Sequence, residues 1–177
     1  MPTVHELTTP LAAWIEALVS ALTLADIAFV AGAMLLIHAC RHAGMWVYAL
    51  IALPGTLAHE LAHFAVAFVL GARPAFPSLV PVRTDRGWRL GSVAFRVGHA
   101  RALPIALAPL LLAPLALWWA GALLHGSPWP LRALHIWIVA ALVTASLPSR
   151  TDLKLALPAL AVLAVLGIAV ALAWWLL

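Results

Sequence analysis

Apolar residues in this chain run in long blocks, broken by short polar stretches. They show neither the strict alternation of half-buried strands nor the single stripe of a soluble amphipathic helix. The blocks lie at about 11–39, 45–70, 103–124, 131–147 and 155–177. A helix crossing a bilayer needs about 20 apolar residues, with a range of roughly 17–25. The pattern therefore predicts an all-α polytopic membrane protein of about five transmembrane helices in one domain, 1–177. The first block carries Glu16 and Asp26. It reads as one long tilted span, with an interfacial helix followed by a shorter span from about Ile27 as the alternative. Pro54-Gly55 in the second block should loosen that helix.

From Gly71 to Ala102 the pattern changes. Ser78–Arg83 and Trp88–Val97 are β-rich and partly alternating, and Thr84-Asp85-Arg86-Gly87 between them suits a turn. These features predict a β-hairpin loop over 74–98, between the second and third spans. Pro77 and Pro81 confine its first strand to an edge.

Composition agrees with the blocks. Of 177 residues, 66% are hydrophobic and 9% charged, with a mean hydropathy of +1.08, which excludes an ordinary soluble domain. The single Cys40 excludes an internal disulfide and a thiolate zinc cluster; it reads as a packing residue at a helix end. No Lys or Arg precedes Arg41, so the basic start of a cleavable signal peptide is not seen and the first block is expected to stay. A pI near 10.7 suggests nucleic acid until the cations are placed. Arg73, Arg83, Arg86, Arg89, Arg96 and Arg101 all fall in the one long loop. That is the bias of a cytoplasmic loop facing anionic lipid, so the bilayer is the expected partner and nucleic acid is not.

The chemistry is concentrated in the second block, where His59-Glu60-Leu61-Ala62-His63 stands among lipid-compatible residues. A central acidic residue costs roughly 2.5–3.5 kcal/mol on insertion scales, so such groups mark a site in use. On a helix His59 and His63 share a face and can grip one ion, with Glu60 beside it as a base. Zinc suits two imidazoles, but a catalytic zinc site takes three protein ligands and keeps one position for water. The chain has six acids. Glu6 and Glu16 lie early, Asp85 is in the predicted turn and Glu60 is already assigned. With the Arg-rich loop cytoplasmic, the second span runs inward and His63 lies seven residues before its end at Leu70, roughly 10 Å along a helix. Asp152 returns to the same side, whereas Asp26 starts at the opposite end of its span. This selects Asp152 as the third ligand, with a helix cap as the competing role for it. His38, His42, His99, His125 and His135 fall near span ends or loops and read as interfacial or packing residues.

With these pieces assembled the chain resembles the site-2 protease family of intramembrane zinc metalloproteases. The matching parts are Ala58-His59-Glu60-Leu61-Ala62-His63-Phe64, the Gly-containing hairpin loop, Leu107-Ala108-Pro109, and Pro148 with Asp152 four residues on. The likeness covers roughly Gly44 to Leu157. It implies Zn2+ held by His59, His63 and Asp152, and Glu60 as catalytic base. It also implies a transmembrane protein segment as substrate, captured by the hairpin edge at Gly91, Ser92 and Val93 through strand addition. A bacterial inner membrane is the home it points to. The second motif departs from the family pattern: Ser146-Leu147-Pro148 and Thr151-Asp152-Leu153 lack the family's asparagine and its final glycine. Thr144 and Ser146 are the nearby polar replacements. Two other classes stay open, a membrane metal carrier and a catalytically inactive zinc-binding scaffold.

Overall fold

The computed structural model describes residues 4–84, 87–95 and 99–176. The protein is 75% helical with one small two-stranded sheet, in keeping with an all-α architecture that carries a hairpin. Its helices are α1 (Val4–Ser20), α2 (Leu24–Ala39), α3 (Met45–Ile51), α4 (Leu53–Val69), α5 (His99–Ala106), α6 (Leu112–Leu123), α7 (Trp129–Ala145) and α8 (Arg150–Leu176). Short 3-10 turns occupy Cys40–His42 and Ala108–Leu111.

Three apolar blocks that the sequence predicts as continuous helices are broken. The block 11–39 is two helices, and the preferred single span is wrong there. Thr23 begins α2 with a capping box: its Oγ1 accepts the Asp26 N–H at 3.1 Å, and the Asp26 carboxylate accepts the Thr23 N–H at 3.0 Å. Reciprocal caps of this kind start a helix firmly, so α1 does not run through. The block 45–70 is broken at Ala52, where the axis turns by 69°. Pro54 has no N–H for the carbonyl of Leu50, so the ladder lapses, and the proline sits comfortably in the first turn of α4. Trp137 Nε1 donates to the Ile51 carbonyl at 2.9 Å, satisfying an oxygen that the break leaves without a helical partner. The block 103–124 is divided into α5, a 3-10 turn and α6, with Pro104, Pro109 and Pro114 along it.

By length and composition, Leu24–His42 and Arg150–Trp175 can each cross a membrane, and the bent pair α3–α4 makes a third if it counts as one span. The α8 window is only 6% buried, so its apolar side chains belong against lipid. Helices of this length and apolarity make the molecule a membrane protein.

The chain divides into two compact units, each made from two separate stretches. The first unit comprises Met1–Thr56 and Leu111–Ser146. In it α7 packs on α2 and α6, and α1 packs on α6. Ile37, Ala52, Ala140 and Ala141 form its buried core. Small residues allow the close approaches: Gly55 lies against the Ala141 carbonyl, and Gly121 against Leu18. Asp26, fully buried, pairs with Arg132 of α7.

The second unit comprises Leu57–Leu110 and Leu147–Leu177, with α5 packed on α8 and a core of Ala67, Ala72 and Ile105. Its hairpin pairs β1 (Val82–Thr84) with β2 (Gly87–Arg89), antiparallel, with Val82 opposite Arg89. Both strands are shorter than predicted. Pairing resumes at Ser78–Ser92, with both backbone bonds made at 3.0 and 2.9 Å. Between the two pairings Leu79-Val80-Pro81 oppose only Leu90-Gly91. That extra residue is a bulge, placed where Pro81 has no N–H to give the ladder. The predicted turn residues Asp85 and Arg86, and Arg96 and Val97 of the predicted second strand, lie outside the described residues.

Candidate metal centre

Everything in the centre comes from the second unit. On α4, His59 and His63 stand one turn apart on a single face, with ring centroids 4.8 Å apart and planes at 80°. Their Nε2 atoms are separated by 3.2 Å. Asp152, in the first turn of α8, completes the group: its Oδ2 is 3.4 Å from His59 Nε2 and its Oδ1 is 3.2 Å from His63 Nε2. His63 and Asp152 are buried, and Glu60 is 8% exposed. Among the described residues this is the one group of three or more His, Cys, Asp or Glu side chains able to hold a metal ion. Cys40 is a free thiol at the C-cap of α2.

The separations provide a test of fit. Four ligands placed tetrahedrally at about 2.0–2.1 Å from one ion lie about 3.3 Å from each other. The two imidazole nitrogens, 3.2 Å apart, match that edge; each lies 3.2–3.4 Å from one of the two Asp152 oxygens, and one donor atom from each residue falls within 4.8 Å of the others. Two imidazoles and a carboxylate are also a donor set that divalent transition metals accept.

The orientation of each ligand has a local cause. His63 Nδ1 lies 2.7 Å from the carbonyl oxygen of Ile105. A carbonyl only accepts, so Nδ1 carries the proton and, in the neutral ring, Nε2 presents its lone pair. The Ile105 carbonyl is free to do this because the residue four positions on is Pro109, which has no N–H for it. Asp152 is held from the other side. Its Oδ2 accepts the Ser149 N–H at 2.7 Å, and Ser149 Oγ accepts the Asp152 N–H at 3.3 Å. That is a second capping box, so Asp152 serves the helix start and the metal group together; the cap and ligand roles are compatible.

The other predicted positions sort plainly. Gly91 stands against the Glu60 side chain. The backbone of Ser92 is engaged with Ser78, so in the antiparallel pattern the backbone groups of Gly91 and Val93 face the opposite edge. Thr144 and Ser146 donate their hydroxyls to the Ala140 and Val143 carbonyls in and just after α7. His135 accepts from Trp119 Nε1 at 3.2 Å, a packing role. Sequence reasoning did not find the Asp26–Arg132 pair or the Ile105 carbonyl. The signal for the second was present in Leu107-Ala108-Pro109, whose proline frees the oxygen one turn earlier. No protein-family model matches the chain, and neither does any curated protein or any solved structure.

Proposed function

We propose that this protein is an intramembrane zinc metalloprotease, similar to the site-2 proteases, that cuts transmembrane segments of other membrane proteins. The observation that carries the reading is the convergence of His59, His63 and Asp152, with one donor atom from each within 4.8 Å of the others and a buried Glu60 adjacent to one of them in sequence. A structural metal site has no need of that glutamate. Zinc, when bound, supplies a Lewis acid that makes water acidic near neutral pH and polarises the scissile carbonyl.

The residues of the chain do the rest. Glu60 accepts a proton from the attacking water and hands it to the leaving nitrogen. His63 and Asp152 are held by the Ile105 carbonyl and the Ser149 N–H, which orients these two donors before a metal binds. The outward backbone groups of Gly91 and Val93 offer an edge to an unwound substrate segment, which must leave its helix before its peptide bonds can be reached. The five-span topology and a bacterial inner-membrane location belong to the same reading.

The test is a cleavage assay on protein reconstituted in proteoliposomes, with zinc analysis alongside. Wild type and Glu60→Gln should both hold zinc, and only wild type should cut a transmembrane substrate. Zinc bound by a wild type that transports it and cuts nothing would replace the protease with a carrier.

A further inference from the structure

Glycines in this chain serve two different needs. Gly44, Gly71 and Gly126 adopt positive φ, at 122°, 67° and 81°, a backbone region that other residues enter at a cost. Gly91 has no such φ; what it requires is space. A Cβ placed on it falls 2.6 Å from Glu60 Oε1, 2.7 Å from Cγ and 2.9 Å from Cδ. Heavy atoms do not approach that closely, so with any other residue at 91 something moves. Gly55 and Gly121 are crowded as well, Gly55 chiefly by the Ala141 main chain and Gly121 by the Leu18 side-chain methyl and main chain. Among the described glycines, Gly91 is the one whose crowding neighbour is the reactive end of a side chain.

We propose that Gly91 is a positioning residue for Glu60: its bare Cα is the wall that sets where the catalytic carboxylate lies. The wall is fixed from behind, because the next residue, Ser92, makes both backbone bonds with Ser78, and the Ala75 N–H reaches the Ala94 carbonyl at 2.8 Å. Glu60 is the softer partner, a flexible side chain on a rigid helix. Adding a methyl at 91 therefore costs the fold little and moves the carboxylate by about 1 Å, a displacement able to cost on the order of 100-fold in rate. The same strand offers Gly91 and Val93 to substrate, so the segment that receives the substrate also seats the base. The positioning role rests on the proteolytic reading of the site.

The experiment uses the full chain in proteoliposomes with a model transmembrane peptide, and compares wild type, Gly91→Ala, Glu60→Asp and the double variant. Gly91→Ala should keep one zinc per chain and KM, and lose about 100-fold in kcat. In the Glu60→Asp background the carboxylate is already one methylene out of place, so Gly91→Ala has little left to displace and should cost less than about threefold there. Equal costs in the two backgrounds, a loss confined to KM, or full activity in Gly91→Ala would each overturn the proposal while leaving the protease intact. A wild type that cuts nothing would instead sink the reading of the site, and the positioning role with it. Geometry has its own readout: with Cys40→Ala, the pair Glu60→Cys and Gly91→Cys should close a disulfide on mild oxidation, since its Cβ atoms must come within roughly 3.5–4.5 Å. Two thiols that stay free would contradict the contact whatever the activity shows.

Discussion

Asp26 and Asp152 are the same residue in nearly the same local setting, and they do different work. Each stands three residues after a hydroxyl residue, Thr23 or Ser149, and closes a capping box at the start of an apolar helix. Each is buried. The difference lies in what meets the second carboxylate oxygen. For Asp26 it is the guanidinium of Arg132, a permanent cation that completes the pair and leaves no place for another ion. For Asp152 it is His63 Nε2, with His59 Nε2 near its other oxygen; an imidazole nitrogen, unlike a guanidinium, can present a lone pair to a metal beside the carboxylate. A capped, buried aspartate thus becomes a strut or a ligand according to its partner. The helix start only supplies the aim.

Substitutions at the two sites should separate these roles. The largest effect is expected from Asp152→Ala. Losing a ligand should weaken zinc binding by more than the roughly 100-fold upper end seen for outer-shell partners, and should abolish cleavage, measured by zinc content and peptide assay. Asp26→Ala should leave zinc content unchanged and destabilise the protein instead. Arg132 is 29% exposed, so the cost should be about 3 kcal/mol, the low end for a buried pair broken on one side, read as a lowered denaturation midpoint in detergent. If Asp26→Ala strips the zinc, the comparison fails.

Pro109→Ala should act between these extremes. It restores an N–H one turn after Ile105, which competes for the carbonyl that orients His63, so zinc affinity should fall about 10-fold with helical content unchanged by circular dichroism. The smallest difference is between the caps. Thr23 donates to the Asp26 carboxylate through both its N–H and its hydroxyl, whereas Ser149 donates to the Asp152 carboxylate through its N–H alone. Thr23→Ala and Ser149→Ala should each cost about 1 kcal/mol of stability. Ser149→Ala keeps the bond that holds the ligand, so zinc affinity should change by less than about threefold.

These contrasts also show what the amino-acid pattern could and could not reveal. His59, Glu60 and His63 were legible because helical spacing puts the two histidines on one face, and because apolar surroundings make charge expensive. Asp152 was legible by counting acids and following the arginines. The breaks at Thr23 and Ala52 and after Ala106 were not read. An apolar run reports compatibility with lipid and says little about helical continuity, since prolines and caps interrupt it wherever other groups satisfy the freed backbone. Pro54 gave a warning of the bend without giving its size. The Asp26–Arg132 pair joins residues 106 positions apart, and no local pattern encodes such a pairing. The contact between Gly91 and Glu60 depends in the same way on where a loop returns to a helix.

The most direct test of the central claim is X-ray absorption at the zinc edge on the purified full chain. We expect one zinc per chain, a first shell of nitrogen and oxygen at about 2.0–2.1 Å with two imidazoles, and loss of that signal in Asp152→Ala. A sulfur shell near 2.3 Å, substoichiometric zinc, or an unchanged spectrum in Asp152→Ala would contradict it.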